Sequence, residues 1–475
     1  MKVKDKMLVF VFILAILGLV LRIYRLGFQS LWIDEGFSIN AASSILKHGY
    51  PLLESGIVYS GSLLNSYLIA AFMFFHNDVV SARLVSVIFG VLMIFLAYYF
   101  GKELGNNKIG LMTAVFVTFS IWEIAWSRQA RMYMQFQFFF ILSLLFFYRF
   151  INDINLKKFF LMLLFSLLAV FSHSLGLVLG LIYIAYFIFD YEKLVFIFNK
   201  TKGYIKNKFV ILLLIVFFIF IVNFIYKGII NYQELEMNYF LTYNYYLKNA
   251  HFGFYYLGII GFLIMLKNDF KKGIFIGLSF LIPFIFISSF IFLLHYRYLF
   301  FILPILFFLT AYLIDYVSFK KFYYVIALVL VISLMFSGFV FIPQAEYDLE
   351  KETPQPNFDK AYGFVKENMN KDDVVIDAYP ALGYYYLGKV DYALNFSLTG
   401  KNDEEKLVNT DVYRNLTFVD INTLKELDDY WIVLDKLALR RLNEEERNYI
   451  LNLTFYEEAS EDKNLWSGVS VYRKE

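Results

Sequence analysis

The chain has no cysteine, seven prolines and five histidines in 475 residues. Without cysteine there is no disulfide, no thiolate nucleophile and no zinc site built on thiolates. So few prolines weigh against a transporter core made of paired broken helices, and no internal repeat accompanies them. Charge is scarce as well. Only 18 % of residues are charged, and a net charge of +2 argues against nucleic acid as a partner. No Gly-x-Gly-x-x-Gly occurs in the C-terminal region, so nothing there points to a nucleotide cofactor.

Apolar residues are abundant. Hydrophobic residues make up 60 % of the chain and aromatics 21 %, with a mean hydropathy of +0.58. A soluble protein of this composition would lack the polar surface needed to stay in solution. The charge-free runs Phe209–Tyr226, Gly273–Tyr296 and Phe322–Ala345 are long enough to cross a bilayer core of about 30 Å. The sequence therefore reads as an all-α polytopic membrane protein, multi-pass in the cell membrane and surrounded by membrane lipids.

Lysines in the first six residues precede the apolar run Met7–Leu21, and Arg22 and Arg25 follow it. This predicts a retained first helix with a cytoplasmic N-terminus, Lys6 and Arg22 snorkelling outward from its ends. Further spans are expected at 83–101, 109–125, 132–149, 158–172, 174–190, 208–226, 253–266, 273–293, 298–316 and 322–342, about eleven in all. Phe159–Phe189 carries no formal charge and is flanked on both sides by basic segments. Both flanks should be cytoplasmic, so the stretch must cross an even number of times, with Ser172-His173-Ser174 as the turn.

An odd total leaves the C-terminal region outside. There Pro343, Pro354 and Pro356 mark a linker and the hydrophobic runs shorten to strand length. Strands are expected at Val374–Asp377, Thr417–Ile421, Tyr430–Leu434 and Val469–Tyr472, with helices at Phe358–Met369 and Asn443–Leu453. The division is thus a transmembrane catalytic region, 1–342, and an extracytoplasmic α/β domain, 343–475.

The expected cytoplasmic loops carry lysine almost throughout, the ordinary orientation signal. Arg22, Arg25, Arg83, Arg128, Arg131 and Arg297 fall instead at outer helix ends. A guanidinium forks onto phosphate or carboxylate oxygens as lysine cannot. These arginines could therefore hold an anionic ligand, or pair with local acids such as Asp34, Glu35, Glu54 and Glu123. The first outer loop, 27–82, reads as two amphipathic helices lying in the membrane interface. Asp34-Glu35 opens the first of them. One reading makes Asp34 an N-cap with Glu35 in a dipole-favoured first turn. The other makes one carboxylate a general base on an acceptor hydroxyl while its neighbour orients it or holds a metal.

Trp32-Ile33-Asp34-Glu35 on an outer loop, Ser81-Ala82-Arg83-Leu84-Val85-Ser86 opening the second span and Ser127-Arg128-Gln129-Ala130-Arg131-Met132-Tyr133 opening the fourth together resemble the GT-C glycosyltransferases. The nearest branch is that of the protein O-mannosyltransferases and lipid A aminoarabinose transferases. The resemblance is good over residues 7–150 and thinner to 316, where His173 and His295-Tyr296-Arg297-Tyr298 look like later motifs. It implies a GT-C fold and transfer of a sugar from a polyprenyl-phosphate donor to a hydroxyl on protein, lipid or glycan at the outer face. It further implies Asp34 as catalytic base, Glu35 as its partner and Arg83 on the donor phosphate. Arg128, Arg131 and Arg297 would make further donor contacts. His173, His295 and Tyr298 are candidates for substrate or for a divalent metal shared with Glu35. Where many relatives carry His-Pro-Pro-Leu, this chain has Tyr59-Ser60-Gly61-Ser62-Leu63-Leu64. The alternatives are an oligosaccharyltransferase-like protein, whose Trp-Trp-Asp-Tyr-Gly element is absent from the tail, and a lipid-linked sugar flippase, which would not need Asp34-Glu35.

Overall fold

The computed structural model describes residues 3–201, 239–291, 295–317, 357–395, 416–458 and 468–474. In chain order the helices are α1 (Val3–Ile23), α2 (Ile33–His48), α3 (Leu63–Met73), α4 (Val79–Leu104), α5 (Asn107–Phe119), α6 (Ile121–Trp126), α7 (Tyr133–Asn152) and α8 (Leu156–Ser172). They continue with α9 (Val178–Phe189), α10 (Tyr191–Thr201), α11 (Phe240–Ala250), α12 (Phe252–Asn268), α13 (Phe270–Phe290) and α14 (Leu303–Val317). Short 3-10 turns lie at Ser174–Leu177 and Tyr296–Ile302. The tail carries α15 (Phe358–Asn368), β1 (Val374–Asp377), α16 (Pro380–Leu387), β2 (Tyr392–Leu394), β3 (Phe418–Val419), α17 (Ile421–Glu426) and β4 (Tyr430–Asp435). It closes with α18 (Lys436–Arg441), α19 (Glu444–Leu451), β5 (Thr454–Glu458) and β6 (Val469–Lys474).

Among the described residues, Val79–Leu104, Tyr133–Asn152, Phe270–Phe290 and Tyr296–Val317 are long and apolar enough to cross a membrane, and two bent helix pairs would raise four to six. The spans expected at 208–226 and 322–342 lie outside the described residues. The one expected at 109–125 is broken at Ser120, whose extended backbone (ψ 126°) separates α5 from α6. The hairpin expected around His173 is present, with a 3-10 turn between α8 and α9.

The chain folds as two compact units. The first comprises the described residues of Met1–Arg22, Ser86–Ser127 and Met132–Val340. Its helices approach through small and hydroxylated residues, as membrane helices must when hydrophobicity alone gives no drive to associate. The Ser143 hydroxyl lies 2.7 Å from that of Ser166 and 2.8 Å from that of Tyr183, tying α7 to α8 and α9.

Arg22 corrects the expectation of snorkelling, because its side chain is fully buried. Its guanidinium donates to the carbonyls of Gly18 (3.1 Å), Thr118 (3.3 Å) and Val117 (3.1 Å) and to the Ser127 hydroxyl (3.0 Å). The break at Ser120 leaves carbonyls in the last turn of α5 without helical partners, and an inward arginine satisfies two of them.

The second unit comprises the described residues of Ile23–Val85, Arg128–Arg131 and Phe341–Glu475. Its six-stranded sheet has the order β3-β2-β1-β4-β6-β5. The first four strands are parallel, and β6 and β5 add an antiparallel edge. The strands expected at 374–377, 430–434 and 469–472 form; the one expected at 417–421 shrinks to Phe418–Val419 before α17. Strand order reverses between β1 and β4, the position where doubly wound sheets leave a crevice at their carboxyl ends. Here α2 packs against α16, the helix that follows β1. Gly36 makes the approach possible: a Cβ there would lie 3.2 Å from the Ala381 carbonyl oxygen of α16. Asn40 then donates to the same carbonyl at 2.7 Å.

Candidate active site

Both candidate carboxylates sit in the first turn of α2, whose N-cap is Trp32 and not Asp34. Glu35, at the third helical position, accepts from the N-cap amide of Trp32 through Oε2 (3.1 Å). The adjacent acids then have different surroundings. Glu35 is 1 % exposed. Its Oε1 accepts from Arg83 Nε (2.8 Å) and from the Ala130 amide (2.7 Å), and its Oε2 also accepts from Arg83 Nη2 (2.8 Å). Four acceptor directions are thereby filled, which is all a carboxylate has.

Arg83 is matched as completely. Besides forking onto Glu35, it donates from Nη1 to the carbonyls of Leu26 (2.8 Å) and Gln29 (2.9 Å) and from Nη2 to that of Ser30 (3.2 Å). Every one of its five N–H groups has an acceptor within the protein. The guanidinium thus fastens the chain leading into α2, and it has no donor left to offer a phosphate in this arrangement.

Asp34 keeps a quarter of its side-chain surface exposed, with Arg131 Nη2 3.5 Å from its Oδ2. Arg131 is positioned by three further acceptors: the Asp34 carbonyl (2.8 Å), the Ser38 hydroxyl (3.0 Å) and the Tyr59 hydroxyl (3.2 Å). Arg128 donates to the carbonyls of Tyr24 (2.6 Å) and Arg25 (3.1 Å). Burial lowers its pKa to about 10, and the charge of Arg83 pushes the same way; it is still a cation at neutral pH. Asp34, Glu35, Arg83, Arg128 and Arg131 therefore form one cluster.

The remaining candidates gather in the other unit. His173 lies between α8 and α9, its Nδ1 accepting from the Leu175 amide (3.2 Å). Its ring centroid is 6.0 Å from that of Tyr298, and Tyr298 is 5.6 Å from the ring of His295. Arg297, 8 % exposed, has its guanidinium carbon 5.9 Å from the Tyr298 ring centroid. A recess beside them is lined by Tyr133, His173, Arg297 and Tyr298. Among the described residues no three of His, Asp and Glu converge on a point where a metal ion could sit. Glu35, the carboxylate expected to share such an ion, has its oxygens filled as above.

Sequence reasoning missed four contributors. Ala130 acts through its backbone amide, which no residue-type argument detects. Tyr59 occupies the segment that departs from the relatives' His-Pro-Pro-Leu, and the departure itself was the available signal. In the tail, Tyr386 accepts from the Leu31 amide (3.4 Å) and the Ser30 hydroxyl accepts from the Asp359 amide (3.2 Å), long-range contacts that short motifs do not encode.

The family Dolichyl-phosphate-mannose-protein mannosyltransferase matches residues 60–226. At the level of whole sequences no curated protein matches. Among solved structures the chain is similar to ArnT from Cupriavidus metallidurans in the apo state, with a TM-score of 0.66 and 11 % identity over 100 % of this chain and 98 % of that one. The same protein bound to undecaprenyl phosphate gives 0.65 and 11 % over 99 % and 98 %. The archaeal oligosaccharyltransferase AglB from Archaeoglobus fulgidus, in complex with an inhibitory peptide and a dolichol-phosphate, gives 0.57 and 13 %, over 81 % of this chain and 63 % of that one. The chain has the ArnT-like GT-C fold, a set of membrane helices joined to a small C-terminal sheet domain.

Proposed function

We propose that this protein is a polyprenyl-phosphate-dependent membrane glycosyltransferase in which Asp34 is the general base. The observation that carries the residue assignment is the separation of two adjacent carboxylates into one that is closed and one that is open. A group that must take a proton from an incoming hydroxyl needs an accessible oxygen. Asp34 has one. Glu35 instead holds Arg83 and, through the Ala130 amide, the segment that carries Arg128 and Arg131. It is a positioning residue, and so is Arg83.

The reaction follows. An acceptor hydroxyl gives its proton to the Asp34 carboxylate as its oxygen attacks the anomeric carbon. The bond from that carbon to the phosphate oxygen breaks, and the polyprenyl phosphate leaves with the electron pair. Arg128 and Arg131 are the cations we assign to the charge growing on the phosphate, where preorganised donors are strong in a dehydrated site. Arg297 sits in the first unit beside His173, His295 and Tyr298 and carries no step of this reaction. One base and one displacement imply inversion at the anomeric carbon.

The tail and the first outer loop hydrogen-bond within one compact unit, which supports placing both on the same side of the membrane. We assign that side to the exterior, with the N-terminus cytoplasmic and a division at 342/343 between membrane region and outer domain. Acceptor hydroxyls on protein, lipid and glycan are all compatible with this chemistry.

The deciding experiment uses purified protein in detergent with radiolabelled polyprenyl-phosphate mannose, glucose and aminoarabinose, comparing wild type with Asp34→Asn. Wild type should turn over at least one donor, and Asp34→Asn should bind that donor equally but lose roughly 10²–10⁴-fold in turnover, the usual reach of a general base. Unchanged turnover in Asp34→Asn would remove Asp34 from the chemistry. Donor translocation without cleavage would replace the transferase by a flippase.

A further inference from the structure

Three helices long enough to cross a membrane, Val79–Leu104, Phe270–Phe290 and Tyr296–Val317, each bring one end to a cavity in the first unit. It holds about 280 Å³ of space open to water and is lined in part by Asn106, Asp269, Lys272, Tyr312, Asp315 and Tyr316. A cavity of about 150 Å³ already admits a molecule the size of benzene. Arg297 and its neighbours stand at the opposite end of the Tyr296–Val317 stretch, so this cavity is separate from that group. The ends of membrane-crossing helices lie at the depth of the lipid headgroups.

The charges in the cavity are unevenly matched. Asp269 caps α13, accepting from the Lys272 amide (3.1 Å), and its Oδ2 lies 3.3 Å from Lys272 Nζ. Asp315 is half-buried and accepts from the side-chain amide of Asn106 (2.6 Å). Among the described residues no cation pairs with it. The Asn106 carbonyl oxygen accepts from the amides of Lys108 (2.8 Å) and Ile109 (3.1 Å), which holds its NH₂ group toward Asp315. Side chains thus cap the positive ends of α5 and α13. The carboxyl ends of α4 and α12, through Leu104 and Met265, reach the same cavity with the negative pole of each helix.

This arrangement selects by charge. A simple anion would meet Asp315 and Asp269. A simple cation would meet Lys272, whose side chain is 34 % exposed. A zwitterion of the right length meets an opposite charge at each end. Its ammonium would lie on Asp315, with the rings of Tyr312 and Tyr316 available as cation–π partners. Its phosphate would lie on the Lys272 ammonium, a charge-assisted contact. Tyr316 is 52 % exposed and open to such a group.

We propose that this cavity binds the headgroup of a zwitterionic phospholipid, its ammonium on Asp315 and its phosphodiester on Lys272. An occupied site would tie together the ends of α5, α13 and α14. It stands apart from the sugar-transfer reading and does not depend on it.

The test titrates the full-length protein in detergent with phosphatidylethanolamine, phosphatidylglycerol and, as a water-soluble source of the same two charges, O-phosphoethanolamine. Native mass spectrometry reads binding, and the thermal unfolding midpoint reads its effect on the fold. Phosphatidylethanolamine should bind wild type about tenfold more tightly than phosphatidylglycerol, a difference of 1.4 kcal/mol, and should raise the midpoint by mass action. Asp315→Asn should remove that preference, and Asp315→Glu should restore most of it. Tyr316→Leu changes a half-exposed side chain and should leave the fold intact while weakening phosphatidylethanolamine about threefold. Equal binding of the two lipids by wild type would overturn the proposal. So would a preference that survives both Asp315→Asn and Tyr316→Leu. If Asp315→Asn unfolds the protein, Tyr316→Leu decides alone, and an unchanged preference there overturns the site. O-phosphoethanolamine bound as tightly as the lipid would sustain the zwitterion site and overturn its lipid source. Donor turnover enters none of these readouts, so their failure leaves the transferase reading untouched.

Discussion

Two arginines, one in each unit, are buried almost completely and in different ways. Arg22 donates to three carbonyls and a serine hydroxyl, and the charge of Glu123 favours its cation. Arg83 forks onto the carboxylate of Glu35 and uses its remaining N–H groups on the backbone leading to α2. The first arrangement repairs a broken helix through backbone carbonyls, with the buried Glu123 acting on it through charge. The second fixes a carboxylate and the residues beside it, so any movement of Arg83 is transmitted to Glu35 and to the turn that carries Asp34. A buried arginine is thus not one signal but two, told apart by what it touches.

The comparison can be broken by removing each guanidinium. Arg83→Met leaves Glu35 as a buried charge without its counter-ion, which should cost about 3–5 kcal/mol of stability and abolish turnover. Adding Glu35→Leu to Arg83→Met should recover much of that stability but none of the activity, because the positioning is gone while the unpaired charge is not left behind. Thermal or denaturant unfolding in detergent, followed by donor turnover, reads both. A double variant no more stable than Arg83→Met would show that the ion pair is not the organising contact.

Arg22→Met should be milder. It leaves buried carbonyls unpaired, about 1–3 kcal/mol for such a group, and takes a cation from the neighbourhood of Glu123. It should cost less than Arg83→Met, which breaks a bidentate ion pair, and unfolding in detergent compares the two. Equal costs at the two arginines would erase the distinction drawn above.

How much of this was legible in the sequence follows from the range of each interaction. Amphipathic period placed α2 and α3, and strand-length apolar runs placed β1, β4 and β6, because those signals are local. The Asp34-Glu35 pair and the motif arginines were found, since short motifs carry residue type. Their division of labour was not. Nothing within a few residues of Glu35 announces that Arg83, 48 positions on, and the amide of Ala130 will close it. Arg22 was misread for the same reason: snorkelling is the sound default at a helix end, but here carbonyls freed some 95 residues later compete for the guanidinium. The short strand β2 and the helices α16–α18 also escaped, each being too brief to show a period.

A third buried charge extends the comparison to its far end. Asp377, at the end of β1, is fully buried, and neutral groups donate to it: the Tyr362 hydroxyl (2.9 and 2.8 Å to its two oxygens) and the amides of Tyr379 (2.8 Å) and Gly383. Burial raises its pKa to about 7, only partly offset by those donors, whereas an unfolded aspartate titrates near 3.9. Between these values the folded protein binds the proton more tightly than the unfolded chain, so stability falls as pH rises through that window and levels off above it. Asp377→Asn removes the titration. The variant should be at least as stable as wild type at pH 8 and should lose the decline that wild type shows between about pH 4 and 7. Unfolding midpoints across that range are the measurement, and the effect should be small next to the loss of Arg83. If the wild-type decline persists in Asp377→Asn, the decline belongs to another group, and Asp377 does not titrate between these values in the folded protein.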